Sequence, residues 1–225
     1  MLKCVIFDLD GVLVSTDEYH YLAWKTLADR LEIPFDRTDN LRQRGVSRMD
    51  SLEILLEKSS RSFSAREKQE LAEEKNRIYR EYLKNLSPED CLPGAEETLK
   101  WLRSHGILTS VGSSSCNTPD ILRRTGLDSG MEAVVSGQDI THSKPHPEVF
   151  AKACTRSGCI PEECLVIEDA DTGLQAGKAA GIRVMAVGPA AGNPAADFAF
   201  ASLAEALPHW QEILSVYGQK AGGQE

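Results

Sequence analysis

The stretch Phe7-Asp8-Leu9-Asp10-Gly11-Val12 decides our fold prediction, because it places two carboxylates directly after a short apolar run. Residues 3–7 are rich in β-branched and aromatic side chains, which predicts a buried strand. Alternate side chains of an extended chain share a face, so Asp8 and Asp10 can point the same way. Like charges this close need a cation or a shared proton, and Gly11 allows a sharp turn beside a ligand. We interpret the stretch as part of an active site rather than as a solvated acidic turn.

The length and composition indicate a globular protein with a complete hydrophobic core. A chain of 225 residues accommodates one large domain or a domain with an insert, and 41% of its residues are hydrophobic. No apolar run approaches the length that spans a membrane, and residues 1–14 are too short and too acidic for a signal peptide. We therefore expect a soluble, cytoplasmic protein without a membrane partner, and we expect it to be a monomer.

The charge distribution separates one segment from the rest of the chain. The formal net charge of −9 argues against nucleic acid and anionic membranes as partners. Residues 16–87 contain fourteen Lys or Arg and fourteen Asp or Glu, so this segment is neutral and the remainder carries the whole negative charge. This difference indicates that the two parts of the chain differ in kind.

The cysteines raise the question of metal binding or disulfides, because the last three of the six are regularly spaced. No histidine completes a zinc pattern beside them, and a C-x₄-C spacing is unusual for metal ligands. We predict free thiols in and around the core. The six residues are Cys4, Cys91, Cys116, Cys154, Cys159 and Cys164.

The spacing of apolar residues changes near residue 88. Before it, residues 16–87 show only helical spacing, which predicts a small helical bundle with Thr16 as the N-cap of its first helix. After it, strands alternate with helices, which predicts a parallel sheet covered by helices on both faces. The last helix is expected over residues 204–217, and the Gly/Gln-rich tail beyond it is expected to be disordered.

These patterns predict an α/β fold built on a doubly wound, Rossmann-like parallel sheet with an inserted helical-bundle cap. The core would consist of residues 1–15 and 88–225, and the cap of residues 16–87. Linkers near Ser15 and Ser87 would join the two parts, so that the cap could move against the core.

Each of four core segments ends in a residue suited to chemistry. In an open α/β sheet, ligands bind at the carboxyl ends of the strands, where these residues would meet. Four carboxylates at one sheet edge require a cation, and oxygen ligands with this charge suit Mg²⁺. A hydroxyl and a lysine beside such a site favour a phosphate as the substrate. The groups in chain order are Asp8 with Asp10, then Ser113, then Lys144, then Glu168 with Asp169.

The order of these groups resembles the haloacid dehalogenase superfamily, whose four motifs match Asp8-Leu9-Asp10-Gly11, Ser113, Lys144-Pro145 and Glu168-Asp169. The resemblance covers the chain except its tail. It implies that Asp8 is the nucleophile that accepts a phosphoryl group, and that Asp10 is the general acid/base. It also implies a Mg²⁺ site formed by Asp8, Glu168, Asp169 and the backbone carbonyl of Asp10. Ser113, Lys144 and the backbone N–H of Ser114 would hold the transferred phosphoryl group.

Within this superfamily, residues 16–25, 44–52, 75–76 and 113–117 resemble the β-phosphoglucomutase family. The resemblance implies three groups of substrate-binding residues besides the phosphoryl site. Arg48, Ser115 and Asn117 would grip the non-reacting phosphate, and His20 and Lys75 would position Asp10 and the sugar. Trp24, Gly45, Val46 and Ser51 would shape the hexose pocket, and Thr16 would act at the hinge. Trp24 could instead pack the bundle, and His20 and Arg48 could be ordinary surface residues, but the contiguous matches favour site roles.

The resemblance implies interconversion of β-D-glucose 1-phosphate and glucose 6-phosphate through an aspartyl phosphate, with β-glucose 1,6-bisphosphate as the priming intermediate. The partners would then be small-molecule sugar phosphates. A Mg-dependent sugar-phosphate phosphatase is the alternative, since water could replace the second hydroxyl. A non-catalytic sensor of phosphorylated metabolites would be expected to lose Asp8 or the metal carboxylates. Two departures, Ser15 in place of Asp and Cys116 in place of Lys or Arg, put hinge behaviour and distal phosphate binding in question.

Overall fold

A six-stranded parallel sheet forms the centre of the part of the chain that the computed structural model describes, residues 1–43 and 46–218. The strand order is β3-β2-β1-β4-β5-β6, with every neighbouring pair parallel. The strands are β1 (Cys4–Phe7), β2 (Leu108–Gly112), β3 (Ala133–Val135), β4 (Cys164–Glu168), β5 (Arg183–Val187) and β6 (Phe198–Phe200). This is the doubly wound α/β core that the alternation of strands and helices predicted.

Helices occupy both parts of the chain. Four of them lie between β1 and the rest of the sheet region and form the bundle: α1 (Asp17–Arg30), α2 (Arg37–Leu41), α3 (Arg48–Leu56) and α4 (Ala65–Leu83). Those that accompany the sheet are α5 (Ala95–Ser104), α6 (Thr118–Thr125), α7 (Glu148–Arg156), α8 (Asp171–Ala179), α9 (Leu203–Ala206) and α10 (Trp210–Gly218). None of the described helices is long and apolar enough to cross a membrane.

Strand β1 lies between β2 and β4, and its register sets the position of the site. Phe7 pairs with Val111 on one side and with Ile167 on the other. All four residues of β1 are buried, as expected for a central parallel strand covered on both faces. Because the strands are parallel and in register, the residues that follow each of them emerge at the same edge of the sheet.

Two apolar layers cover the sheet, and the alternation of side chains along β1 divides them. Val5 and Phe7 belong to a layer that includes Trp210. Cys4 and Ile6 belong to the opposite layer, which includes residues of α7 and α8. Strands β1 and β4 are therefore fully buried without covalent cross-links, and all six cysteines are free thiols, as predicted.

Helices α1, α3 and α4 carry an apolar cluster of their own. Its centre contains Trp24, Leu52 and Leu55. Tyr79 and Leu83, near the end of α4, instead join the larger cluster that covers the sheet. The bundle is thus internally packed and attached to the core along one side, while the domain boundaries at residues 15 and 88 remain a prediction.

Three local expectations differ from the structure. Strand β6 was not predicted, since a three-residue segment at the sheet edge is too short to show periodicity. The expected single last helix is two helices, α9 and α10, separated by a 3₁₀ turn over Leu207–His209. Pro208 lies in that turn, and it lacks the N–H that a continuous helix requires.

Thr16 occupies the N-cap of α1, but its side chain does not cap the helix. The Gly/Gln-rich tail lies outside the described residues.

Candidate active site

Three carboxylates meet where β1 and β4 end. Asp8 follows β1 directly, and its N–H donates to the backbone oxygen of Ile167 at 2.9 Å. Glu168 is the last residue of β4 and is 1% exposed, while Asp169 follows it. Ligand oxygens of Asp8, Glu168 and Asp169 all lie within 4.8 Å of one another. The in-register pairing of two strands thus brings together groups that are 160 positions apart in the chain.

Lys144 places a positive charge inside this cluster. Its Nζ donates to Oδ1 of Asp8 at 2.6 Å and also to Oε1 of Glu168. Burial alone would lower the pKa of Lys144, but the two carboxylates outweigh it and raise that pKa. Burial raises the pKa of Glu168, an effect that the charge of Lys144 opposes. The lysine is therefore a fixed cation beside the predicted nucleophile.

The donor set fits a divalent cation that prefers oxygen. Three carboxylates whose oxygens lie within 4.8 Å of one another suit Mg²⁺, which binds few protein carboxylates and keeps several waters. Two of these carboxylates, those of Glu168 and Asp169, occupy space that a side chain on a neighbouring glycine would fill. A β-carbon on Gly173 would lie 1.9 Å from the Glu168 carboxyl group, and one on Gly11 would lie 2.1 Å from Oδ2 of Asp169. The backbone carbonyl of Asp10 as a further ligand remains a prediction.

Asp10 is held by Thr16 rather than by the metal carboxylates. The backbone N–H of Thr16 donates to Oδ1 of Asp10 at 3.1 Å, and the Thr16 hydroxyl donates to the same oxygen. Tyr79 donates its hydroxyl to Thr16 Oγ1 at 2.9 Å. The Thr16 hydroxyl is therefore engaged by a carboxylate, which explains why it does not cap α1. Desolvation in the cleft raises the pKa of Asp10 to about 6, with the Thr16 hydrogen bond opposing and Asp8 adding to the rise. A carboxyl group with that pKa can exchange protons near neutral pH.

The bundle contributes a buried lysine beside Asp10. Lys75 is 2% exposed, and its Nζ lies 2.9 Å from Nδ1 of His20 and 4.7 Å from the ring centres of Trp24 and Tyr79. Burial lowers the pKa of Lys75 well below its usual value. Burial, reinforced by the charges of Lys75 and Arg48, also lowers the pKa of His20. His20 Nε2 faces Oδ2 of Asp10 at 4.0 Å, so the neutral ring connects α4 to the predicted acid/base.

The loop after β2 forms a polar turn beside the carboxylates. The Ser115 N–H donates to Ser113 Oγ at 3.1 Å, and the Asn117 N–H donates to Ser115 Oγ at 3.2 Å. The hydroxyl of Ser114 is buried and has no hydrogen-bond partner among the described residues. An orphaned buried hydroxyl at this position indicates that the loop is built to meet a polar ligand.

A contact between Asn117 and the bundle closes one side of the site. Asn117 Nδ2 donates to Oδ1 of Asn76 on α4 at 2.9 Å. Arg48, the first residue of α3, is partly buried in the same cleft, and burial lowers its pKa while the Cys116 thiol opposes that change. Arg48 and Cys116 therefore face each other across the junction of bundle and core.

The structure gathers most of the predicted residues around one cleft of about 1250 Å³. Thr16 is fully buried and contacts Asp10 rather than lining the cleft. Trp24 both lines the cleft and packs in the bundle cluster, so packing does not exclude its predicted role at the hexose pocket. Gly45 lies outside the described residues. The predicted residues that line the cleft are Asp8, Asp10, His20, Trp24, Val46, Arg48, Ser51, Lys75, Ser113, Ser114, Ser115, Asn117, Lys144, Glu168 and Asp169.

Two residues that complete this network, Tyr79 and Asn76, had no predicted role. Tyr79 lies four positions after Lys75 and therefore on the same face of α4, a spacing that could have identified it. Asn76 directly follows Lys75, and only the packing of α4 against the loop after β2 reveals its contact with Asn117.

Comparisons with known proteins agree with this geometry. The profile of the haloacid dehalogenase-like hydrolase family matches residues 2–181. A β-phosphoglucomutase of Bacillus subtilis is 43% identical over 195 residues, which cover 86% of this chain and 85% of that protein. A phosphorylated carbohydrates phosphatase of Thermotoga maritima is 31% identical over 184 residues, covering 80% of this chain and 82% of the other. The crystal structure of a β-phosphoglucomutase from Clostridium difficile superposes with a TM-score of 0.89 at 33% identity, over 97% of this chain and 98% of the other.

Proposed function

The chain belongs to the haloacid dehalogenase-like hydrolase family, and from that premise we propose that it is a Mg²⁺-dependent β-phosphoglucomutase. It would interconvert β-D-glucose 1-phosphate and glucose 6-phosphate, with β-glucose 1,6-bisphosphate as the intermediate that primes Asp8. The similarity to β-phosphoglucomutases over most of the chain supports this choice. The proposal includes the cap formed by residues 16–87 and a monomeric enzyme.

The observation that carries the proposal is the pairing of two cationic groups across one cleft. Lys144 lies beside Asp8 at the strand ends, and Arg48 enters the same cleft from α3. A substrate with one phosphate needs only the first position. An intermediate with two phosphates uses both, since each phosphate can then meet a positive charge.

Asp8 would attack phosphorus and carry the phosphoryl group as an aspartyl phosphate. Lys144 would hold an oxygen of that group, because its Nζ already lies 2.6 Å from Oδ1 of Asp8. Ser113 and the N–H of Ser114 would donate to the remaining oxygens. Mg²⁺ bound by Asp8, Glu168 and Asp169 would supply neutralisation of the negative charge that gathers there.

Asp10 would take the proton from the sugar hydroxyl that attacks the aspartyl phosphate and would return it to the leaving hydroxyl in the reverse step. Its pKa of about 6 suits both directions near neutral pH. Thr16 holds this carboxylate through two donors. The sugar must then turn over, so that its other phosphate reaches Asp8.

Exclusion of water distinguishes a mutase from a phosphatase, because water would hydrolyse the aspartyl phosphate. Contacts between the bundle and the core support a closing cap. Asn76 on α4 contacts Asn117 in the loop after β2, and Thr16, which Tyr79 supports from α4, contacts Asp10 in the loop after β1. Closure along these contacts would exclude water while the hexose occupies the cleft.

The test is to supply β-glucose 1-phosphate with a trace of the 1,6-bisphosphate and with magnesium, and to measure both possible products. Accumulation of glucose 6-phosphate supports the mutase, and a parallel reaction with a chelator should give none. Accumulation of free phosphate instead would contradict the mutase and indicate a sugar-phosphate phosphatase.

A further inference from the structure

A second cluster of metal-binding side chains lies at the rim of the cleft, outside the residues that the proposed reaction uses. His142, His146 and Glu148 offer ligand atoms that all lie within 4.8 Å of one another. His142 and His146 line the cleft and are exposed, whereas Glu148 begins α7 with its side chain 15% exposed. Two imidazoles and a carboxylate in contact form a group that no step of the proposed mechanism requires.

The carboxylate of this cluster is fixed by neighbouring groups. Its Oε2 accepts the backbone N–H of Thr141 at 3.1 Å and that of His142 at 2.8 Å. Its Oε1 accepts from Lys152 Nζ at 2.5 Å, and Lys152 is itself anchored to the backbone oxygen of Asp139 at 2.6 Å. The hydrogen bonds from Lys152 and from these backbone donors lower the pKa of Glu148 to about 2. An ionised and oriented carboxylate is what a metal site needs from its acidic ligand.

The two imidazoles face this carboxylate and each other. Nδ1 of His142 lies 3.3 Å from Oε2 of Glu148, and the ring centres of His142 and His146 are 4.5 Å apart. Nδ1 of His146 accepts a 3.3 Å bond from the N–H of Glu148, and no other bond to it comes from the described residues. Both rings are exposed, so small rotations that bring a nitrogen of each towards Oε2 meet little resistance.

We propose that His142, His146 and Glu148 bind one divalent transition-metal ion, for which Zn²⁺ is the representative, at the rim of the active-site cleft. Two imidazole nitrogens and one carboxylate oxygen suit Zn²⁺, Ni²⁺ or Co²⁺, with water completing the coordination. Mg²⁺ prefers oxygen ligands and would stay with Asp8, Glu168 and Asp169. The two clusters therefore select different ions.

The position of the cluster couples it to the phosphoryl site. His142 and His146 flank Lys144 at two positions on either side, and Lys144 bridges Asp8 and Glu168. An ion that links the two histidines would restrain the segment that presents Lys144.

The test is calorimetric titration of the full-length protein with Zn²⁺ in the presence of excess Mg²⁺. The parent protein should bind one equivalent through this cluster. His142→Gln and His146→Gln should each weaken that binding by at least about tenfold. His209→Gln is the matched control, because His209 is an exposed histidine whose Nδ1 lies 3.5 Å from Oε2 of Glu212 without a second histidine beside it.

A Co²⁺ absorption spectrum provides the second measurement, since it separates nitrogen and oxygen ligands from thiolates. The bound ion should show d–d bands without a thiolate charge-transfer band, and these bands should disappear in the His142→Gln variant. Zn²⁺ binding that is unchanged in both histidine variants, no binding to the parent protein, or a thiolate band unaffected by the substitutions would each overturn the proposal.

Discussion

A β-carbon built on Gly11 would lie 2.1 Å from Oδ2 of Asp169, so the position of this carboxylate, a predicted magnesium ligand, depends on the absence of a side chain in the first motif. Gly11 also has a φ of +80°, which other residues adopt at a cost. The two residues follow different strands, β1 and β4, and they come together because these strands are neighbours in the sheet.

Replacement of Gly11 by alanine should therefore displace Asp169 and weaken the binding of magnesium. We expect the Mg²⁺ concentration for half-maximal activity to rise about tenfold or more. Gly106→Ala is the matched control, because Gly106 has a φ of +70° with no atom within 4 Å of a built β-carbon. Both variants should lose about 1 kcal/mol of stability through backbone strain. An equal Mg²⁺ requirement in both would contradict the steric argument.

Asp8→Asn should abolish turnover, because an amide cannot accept the phosphoryl group from the sugar. We expect a loss of at least about 10⁴-fold in kcat, as for the removal of other covalent nucleophiles. The measurement is glucose 6-phosphate formation together with a search for the phosphorylated protein. Substantial mutase activity in this variant would show that another residue is the nucleophile, while Asp29→Asn on the bundle surface should behave as the parent.

Arg48→Ala should impair mutase flux far more than hydrolysis of a small phosphoester, since in the proposed reaction the sugar bisphosphate needs a positive charge at each end of the cleft. The expected loss of kcat/KM in the mutase reaction is about tenfold to hundredfold, as a charge-assisted hydrogen bond contributes about 1.5–3 kcal/mol. Arg66→Ala is the control, because Arg66 is 89% exposed and pairs with Glu70. Equal losses in both reactions would mean that Arg48 does not grip the second phosphate.

Tyr79→Phe removes the hydroxyl that donates to Thr16 while keeping the ring in the core. Loss of this buried hydrogen bond should lower the free energy of unfolding by about 1 kcal/mol, measured by urea denaturation. Activity should fall as well, because Thr16 orients Asp10. Tyr82→Phe, on the same helix, should change neither quantity; if it equals Tyr79→Phe, the network is not the cause.

The free energy of unfolding should decrease at acidic pH because of Asp139. Hydrogen bonds from the Ser136 backbone and from Arg156 lower its pKa to about 2 from an ordinary value of 3.8. Since the folded state holds the proton less tightly, the stabilisation is present above pH 4 and disappears as the pH falls towards 2. The parent should therefore exceed Asp139→Asn in stability by about 1–2 kcal/mol at pH 7, and this difference should shrink at pH 3. Urea denaturation of both proteins at pH 7 and pH 3 measures this difference in stability. A difference that stays constant would contradict the proposed effect of the Asp139 pKa.

The family and fold class followed from the sequence and are confirmed by the comparisons. The reason is that each motif lies where an apolar run ends and polar residues begin. Phe7-Asp8 ends an apolar run, and Glu168-Asp169 ends another. Short-range patterns of this kind identify parallel strands, and parallel strands place their ends together. Pro208 itself indicated the break between α9 and α10, but the helical spacing of apolar residues around it favoured one continuous helix.

Tertiary structure alone decided which hydrogen-bond partners the residues around the site have. The amino-acid sequence by itself determined the acidic pair, the serine loop, the lysine and the parallel sheet whose strand ends gather them, while the order of the strands came from the structure. It did not reveal that Thr16 binds Asp10 instead of capping α1, that Tyr79 joins the two, or that Asn76 meets Asn117. The contacts of Thr16 and Asn76 connect the bundle to loops of the sheet, and Tyr79 supports Thr16 from within the bundle. No local periodicity records which faces of separate elements pack together.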